Sequence, residues 1–119
     1  MKAGSTHERG SEGEALACAF LRQQGYTILT TNYRFLRGEV DVIARDGEAL
    51  VFCEVKMRES DEFGAPEYAV TPWKQQRIRR VAEGFLVHHA IREMVCRFDV
   101  IAIERSGGRT VINHIRDAF

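Results

Sequence analysis

The sequence predicts an α/β fold in which helices flank a central mixed β-sheet of about five strands, in the order α-β-β-β-α-β-β. Residues 11–24 and 71–90 carry apolar side chains at helical spacing. Three strand-like segments between them are joined by short turns, which makes them antiparallel. The third strand, the second helix and a later strand form a βαβ unit, whose two strands run parallel.

The first helix is expected from Ser11 to Gln24, with Ser11 as N-cap and Glu14 as its capping-box partner. Residues 1–9 are polar and predict a mobile tail, which leaves residues 10–119 as a single domain. Glu14 shares the inward side of this helix with apolar residues. Its simplest interpretation is a carboxylate that stabilises the helix start, and a functional role is the alternative.

A β-hairpin is the centre of the predicted sheet. A first strand from Tyr26 to Arg34 and a turn at residues 35–38 lead into the apolar runs Val40–Ala44 and Ala49–Val55. Asp46-Gly47 between these runs is a strong hairpin signal. The sequence therefore predicts a meander of three antiparallel strands.

The hairpin gathers charge among apolar neighbours. With Asp46-Gly47 as a two-residue loop, Asp41 faces Phe52 and is a diagonal neighbour of Glu54, about 7–8 Å away at Cα. Alternation along the strands puts Asp41, Glu54 and Lys56 on one face, whereas Val51, Cys53 and Val55 occupy the other. Charges in such surroundings need a partner, and a divalent metal ion is one candidate.

The second helix follows a long connection, Met57–Val70, which is placed to close over the hairpin charges or to lie on the surface. Thr71 as N-cap and Pro72 at the first helical position begin a helix that runs to about Ala90. Lys74, Arg77 and Arg80 form a positive strip that can hold phosphates or simply face solvent. Beside it, Trp73 is expected to pack against the sheet, with stacking on a nucleobase as the alternative.

Strands at Cys96–Glu104 and Val111–Ile115, joined by Gly107-Gly108, complete the predicted sheet. No histidine has a partner at metal-ligand spacing, so His88, His89 and His114 are interpreted as structural. The three cysteines form no CxxC pair and are expected to be reduced core thiols of a cytoplasmic protein.

Composition excludes some functions. The net charge is zero, which argues against a protein that coats nucleic acid along its whole surface. No apolar run approaches the roughly 20 residues of a membrane span, and the N-terminus lacks the apolar segment of a secretory signal, so no membrane association is expected.

The candidate chemistry follows from the carboxylates. Asp41 and Glu54 suit a hard ion such as Mg²⁺ or Mn²⁺, and Lys56 can orient a water molecule or offset developing charge. No Ser-His or Cys-His nucleophile set, GxGxxG motif or P-loop is present. Metal-assisted hydrolysis of a phosphodiester is therefore the predicted reaction class.

The chain resembles the PD-(D/E)xK nuclease superfamily with its restriction-endonuclease-like fold, and more closely the YraN-like family of predicted endonucleases related to archaeal Holliday junction resolvases. The matching segments run from about Glu12 to Phe119, and they are GEALACAFLRQQGY, NYR, GEVDVIARDG, LVFCEVKMR, FGAP, TPWKQ, RFDVIAI and the terminal AF. Val40 departs from the proline that precedes the first aspartate of the motif.

The resemblance implies roles for individual residues. Asp41 matches the metal-binding aspartate, Glu54 the acidic residue of the motif, and Lys56 its lysine. Glu14 matches a glutamate that resolvase-like members bring to the site, directly or through water, which reverses the interpretation from its spacing. The backbone carbonyl of Val55 would be a further metal ligand.

The resemblance reaches beyond the motif more weakly. Lys74 and Gln75 match polar positions on the following helix and join Arg77 and Arg80 as candidate nucleic-acid contacts. Arg97 and Asp99 are interpreted as a structural ion pair. The substrate implied is DNA, linear or branched, and resolvase relatives work as homodimers, for which the C-terminal edge strand or the Phe119 tail is a candidate surface.

Two alternatives remain open at this point. The protein can be a nucleic-acid-binding accessory that keeps the fold with little or no catalysis. Asp41, Glu54 and Lys56 can also form a buried ion-pair network that binds no ligand, in which case apolar replacement of all three would be neutral or stabilising.

Overall fold

A five-stranded mixed sheet with one helix on each face is the architecture of this protein. The computed structural model describes the backbone of residues 2–59 and 70–119, and side chains of residues 11–59 and 70–119. The elements in chain order are α1 Lys2–Gln23, β1 Thr27–Phe35, β2 Gly38–Asp46, β3 Ala49–Glu59, α2 Pro72–His88, β4 Val95–Ser106 and β5 Arg109–Ile115. The predicted order of elements is confirmed.

The strands lie in the sheet in their sequence order, β1 to β5. β1, β2 and β3 form an antiparallel meander, β4 pairs parallel to β3, and β5 pairs antiparallel to β4 at the edge. The parallel pairing confirms the predicted βαβ unit, in which α2 crosses from β3 to β4.

Two apolar cores lie on opposite faces of the sheet. On the α2 face, Leu50 and Phe52 of β3 pack with a helix stripe that includes Ile78, Val81 and Phe85. On the α1 face, Val51 and Cys53 pack with the helix residues Ala17, Cys18 and Leu21, and Val55 packs at the edge of this cluster. This alternation of β3 is the one that the sequence predicted.

The first helix begins earlier than expected. Because α1 begins at Lys2, Glu14 lies in the middle of the helix, and the predicted N-cap at Ser11 is wrong. The local capping signal was outweighed by a helical segment that continues upstream of it. Whether residues 1–9 are mobile stays a prediction.

The hairpin register differs from the predicted one by two residues. Asp46 pairs with Ala49, so the loop is Gly47-Glu48, and Ile43 faces Phe52. Of the two loop residues, only Gly47 has a positive φ (60°), and it occupies the first loop position, which is where a type II′ hairpin places glycine. A shift of two keeps Ile43 on the face of Leu50 and Phe52, as predicted, but it puts Asp41 level with Glu54 instead of Phe52.

The start of α2 and the end of β3 are the remaining boundaries near the hairpin. Thr71 caps α2 as predicted, its hydroxyl accepting from the backbone N–H of Lys74 at 3.2 Å. β3 continues to Glu59, and the rest of the expected closing connection, residues 60–69, lies outside the described residues. No helix in the described ranges is both long and apolar enough to cross a membrane.

The C-terminus packs on its own chain. Phe119 stacks on Phe98 with ring centroids 5.3 Å apart, and the Ala118 N–H donates to the Phe98 carbonyl oxygen at 2.7 Å. Arg79 lies over the Phe98 ring at 4.6 Å. The Phe119 ring is therefore engaged within the chain, and the homodimer stays a prediction.

Candidate metal and nucleic-acid site

The candidate site opens where β2 and β3 separate. Their ladder ends at the pair Val42–Cys53, although both strands continue beyond it. The next backbone N–H of β3 that points toward β2, that of Val55, donates to Oδ2 of Asp41 at 2.8 Å. The Asp41 carboxylate thus occupies a place that a backbone carbonyl would take in a continued ladder, and this fixes its position.

An irregularity in β1 and β2 sets the direction of Asp41. Asn32 and Asp41 lie between the paired residues Thr31–Val42 and Tyr33–Val40. Asn32 has φ +54°, a conformation that asparagine tolerates better than most residues. Val42 packs in the α1-side core and Val40 in the α2-side core, so β2 changes face at Asp41.

Asp41 and Glu54 line one cavity of about 330 Å³ beside the first turns of α2. Glu54 is only 7% exposed although it is a carboxylate. Gly38 lets α2 approach β2 here, since a Cβ at this position would lie 2.6 Å from Cγ2 of Val81. The other lining residues are Arg37, Glu39, Trp73, Lys74, Arg77 and Ile78.

The surroundings of Asp41 change its acidity. Burial, followed by the charge of Glu54, raises the pKa of Asp41 to about 7, although the hydrogen bond from the Val55 N–H opposes this shift. The charges of Glu14 and Glu39 raise the Asp41 pKa further. The Asp41 carboxylate therefore takes up a proton near neutral pH, and a nearby cation would favour its ionised form.

Lysine 74 supplies one positive charge. Its Nζ lies 2.5 Å from Oε2 of Glu54. The sequence associated Lys74 with nucleic acid and not with the motif glutamate. The missed signal is the Thr71-Pro72 start of α2, which places Lys74 in the first turn of the helix, where it reaches Glu54 in the middle of β3.

Glu14 reaches the site from the opposite face. Its Oε1 accepts a hydrogen bond of 2.8 Å from the Asn32 side-chain amide, next to Asp41. Sequence reasoning did not select Asn32, because an asparagine in a β-rich segment carries no local mark of a contact 18 residues away. Glu14 affects Asp41 through its charge but is not among the residues that line the cavity.

Lys56 is half-buried on β3, two residues beyond Glu54 and level with Ala102 of β4. Alternation places it on the face of Glu54 and α2. It does not line the cavity. The site thus brings Asp41 and Glu54 together directly. Glu14 acts on Asp41 through its charge, whereas Lys56 is placed only by its position two residues beyond Glu54 on β3. The proposed roles of all four residues stay predictions.

Only part of the positive strip faces the cavity. Lys74 and Arg77 line it, whereas the Gln75 side-chain amide donates to the Val70 carbonyl oxygen at 2.8 Å. Arg80 lies in a separate apolar groove with Phe35 and neighbouring residues. Of the four candidate nucleic-acid contacts, two are therefore placed next to the carboxylates.

Trp73 does not pack against the sheet, so that expectation is wrong. It is 65% exposed at the cavity rim. The guanidinium carbon of Arg77 lies 4.6 Å from the centroid of its ring, and Arg77 also donates to the Arg37 carbonyl oxygen. Trp73 is exposed because it lies in the first turn of α2, whereas the buried residues of this helix begin only at Ile78.

A second polar cluster, away from this cavity, is structural. Asp99 is fully buried and accepts hydrogen bonds from Nε and Nη2 of Arg97, at 3.0 and 2.9 Å. It also contacts the His114 ring at 2.7 Å and accepts from the Asp117 N–H at 3.0 Å. Burial alone would raise the Asp99 pKa, but these bonds lower it overall. The predicted ion pair is confirmed, and the structural role of His114 stays a prediction with which its contact to Asp99 agrees. Cys18, Cys53 and Cys96 are free thiols, as expected.

The donor set for a metal ion is small. Among the described side chains, those of residues 11–59 and 70–119, no group of three or more His, Cys, Asp and Glu is arranged to hold a metal ion. Asp41 and Glu54 offer carboxylate oxygens of the kind that Mg²⁺ and Mn²⁺ prefer, and a further ligand would come from the backbone or from water. Their mutual repulsion fits a cation between them.

Comparisons with known proteins show one matching family and several similar relatives. The model of the family described as "Uncharacterised protein family UPF0102" matches residues 13–103. A UPF0102 protein of Geotalea daltonii is 46% identical over 111 residues, covering 92% of this chain and 87% of the relative. A UPF0102 protein of Chlorobium chlorochromatii is 46% identical over 121 residues, covering 97% of this chain and 93% of the relative.

Proposed function

The chain belongs to the uncharacterised protein family UPF0102, and we propose that it is a divalent-metal-dependent endonuclease that hydrolyses phosphodiester bonds in DNA. The observation that carries this proposal is the shared cavity of Asp41 and Glu54. The Asp41 carboxylate accepts a hydrogen bond from the Val55 N–H, and its pKa is raised to about 7. The Glu54 carboxylate is almost fully buried. Proteins seldom keep such a pair without a ligand or a task.

Asp41 and Glu54 would hold the Mg²⁺ or Mn²⁺ ion, together with the Val55 carbonyl and, directly or through water, Glu14. Such an ion would act as a Lewis acid toward the phosphodiester and would lower the pKa of an adjacent water molecule. The Asp41 side chain is already oriented by the Val55 N–H, so little reorganisation is needed on binding. Asn32 holds Glu14 in the same way.

The remaining residues of the site act on the substrate. Lys56, next to the metal-binding carboxylates on β3, orients the attacking water and offsets developing negative charge. Arg77 and Lys74 at the cavity wall contact phosphates, which the zero net charge of the whole chain does not prevent because these cations are local. The positive groups therefore lie where a DNA backbone must pass to reach Asp41.

The resemblance to the PD-(D/E)xK nucleases and to the archaeal resolvases supports a DNA substrate, branched DNA included. It also supports a homodimer, since cutting a symmetric junction requires two sites. The free thiols are consistent with a cytoplasmic location.

Cleavage by purified protein tests the proposal. We expect nicking of branched and linear DNA in Mg²⁺ or Mn²⁺, none in EDTA, and a loss of at least about 100-fold in Asp41→Asn and in Lys56→Ala. The control is Glu48→Gln, which neutralises an exposed hairpin carboxylate outside the cavity. Cleavage that persists in both site variants would contradict the assignment.

One observation favours a second candidate function, that of a nucleic-acid-binding accessory without efficient catalysis. The Lys74 ammonium already neutralises Glu54, which is the carboxylate that the nuclease needs for its metal. This candidate predicts salt-sensitive DNA binding with no turnover in any divalent metal. Turnover that depends on Asp41 would exclude it.

A further inference from the structure

An exposed tryptophan lies at the cavity that Asp41 and Glu54 line. Trp73 is 65% exposed, and it lines the same cavity as Asp41 and Glu54. Tryptophan is highly buried on average in folded proteins, and leaving most of an indole in water forgoes a large hydrophobic gain. Its position thus requires an explanation other than the packing of the core.

The indole is held in place by cations. The Arg77 guanidinium lies over its ring, and Arg77 is itself fixed by donating to the Arg37 carbonyl oxygen. Lys74 follows Trp73 directly and faces Glu54. An aromatic surface is therefore surrounded by positive charge, within one cavity width of the two carboxylates.

These surroundings favour one class of occupant. An apolar protein partner would be expected on contiguous apolar surface, and the exposed side chains of Leu36 and Val87 lie instead in the neighbouring groove with Arg80. A nucleic-acid strand offers both a π-face for the indole and phosphates for Arg37 and Arg77. Bases inside a duplex are stacked on both faces, so only an unpaired base can reach Trp73.

We infer that Trp73 stacks on an unpaired nucleobase while Arg77 and Arg37 contact the adjoining phosphates, so that the substrate class is nucleic acid with a single-stranded segment at the cut. The inference rests on the proposed nuclease function. It selects strand junctions, flaps and single strands over continuous duplex. The stacked base positions the neighbouring phosphodiester toward Asp41 and Glu54.

Trp73 is the only tryptophan of the chain, so intrinsic fluorescence reports on this ring alone. We would titrate the protein in EDTA, where no cleavage occurs, with a single-stranded oligothymidylate and with a blunt duplex of equal length. The expected result is quenching by the single strand and binding at least about five-fold tighter than that of the duplex.

Variants separate stacking from general attraction. Trp73→Ala should lose between about 5- and 100-fold in affinity for the single strand, and Trp73→Phe should stay within about three-fold of the wild type. Val87→Ala is the matched control, because it removes an exposed apolar side chain from the same helix outside the cavity. Single-strand binding without quenching, or full affinity in Trp73→Ala, would overturn the inference.

A cleavage assay in Mg²⁺ distinguishes the failure of this inference from the failure of the nuclease proposal. Asp41-dependent cleavage of continuous duplex as fast as of a flap, with no quenching, contradicts the role of Trp73 alone. Quenching with no cleavage in Mg²⁺ or Mn²⁺ contradicts the nuclease and leaves a strand-binding surface at Trp73.

Discussion

The ammonium of Lys74 lies 2.5 Å from the carboxylate of Glu54, so a residue of α2 supplies charge to an acidic residue that β3 buries. The Glu54 side chain is 8% exposed and that of Lys74 is 49% exposed. The lysine can therefore turn toward solvent at modest cost, while the glutamate cannot. This asymmetry suits a cation that gives way when a metal ion binds.

Lys74→Met tests this relationship. The variant leaves Glu54 buried without its cation, and we expect the free energy of unfolding to fall by about 1–2 kcal/mol, less than for a fully buried pair because Lys74 is half exposed. Added Mn²⁺ should restore more stability to the variant than to the wild type. Urea denaturation with and without Mn²⁺ measures both effects. Arg92→Met, at an exposed position beyond α2, is the control, and an equal response of the two variants would argue against the relationship.

Asp41→Asn should change how stability depends on pH. Burial and the charge of Glu54 raise the folded-state pKa of Asp41 to about 7, above an unfolded value of about 4. The stability linked to protonated Asp41 is fully present below the unfolded pKa and is lost as the pH rises through the folded one. Asparagine does not ionise and can still accept from the Val55 N–H.

We therefore subtract the melting temperature of the wild type from that of Asp41→Asn, and we expect this difference to be several degrees higher at pH 8 than at pH 5. Thermal melts followed by circular dichroism measure the difference. Glu48→Gln, at the exposed hairpin loop, should show no such trend. A variant whose advantage is larger at pH 5 would reverse the sign that the burial of Asp41 requires.

Divalent metal should stabilise the wild type through the same pair. An ion that binds only the folded protein adds about 2.7 kcal/mol at 100 times its dissociation constant. Mn²⁺ should raise the melting temperature at pH 8 in the wild type and have little effect on the double variant Asp41→Asn/Glu54→Gln. NaCl at matched ionic strength controls for screening. Equal Mn²⁺ shifts in both proteins would place the ion elsewhere.

Arg97→Met should be strongly destabilising although it lies outside the candidate site. It leaves the carboxylate of Asp99 buried without its bidentate partner, and we expect a loss of about 3 kcal/mol in urea denaturation. Arg34→Met removes an exposed ion pair with Glu39, 3.8 Å long, and should cost less than about 0.5 kcal/mol. Similar losses in the two variants would contradict the structural role of the Arg97–Asp99 pair.

The order of elements and the faces of the strands could be predicted because they follow from local patterns. Alternation along β3 assigns Phe52 and Glu54 to one side and Cys53 to the other, and a two-residue register shift does not alter that assignment. The register itself was missed because the positive φ belongs to Gly47 alone, which moves the hairpin loop by one residue.

The candidate site was predictable only where its residues lie on one hairpin. Asp41 and Glu54 were selected together for that reason. The hydrogen bond between Asn32 and Glu14 joins residues 18 positions apart, and the ion pair between Lys74 and Glu54 joins residues 20 positions apart. Both contacts join a helix to a strand, so they depend on how the helices pack on the sheet. The exposure of Trp73 likewise depends on where the apolar stripe of α2 begins to contact the sheet. Helical spacing alone does not show at which residue this contact begins.

Anomalous scattering from a crystal soaked in Mn²⁺ would show whether Asp41 and Glu54 hold a divalent cation. We expect an anomalous peak between the two carboxylates, with the Lys74 ammonium moved away from Glu54. An absence of any peak there at saturating Mn²⁺, with Lys74 still paired to Glu54, would contradict it.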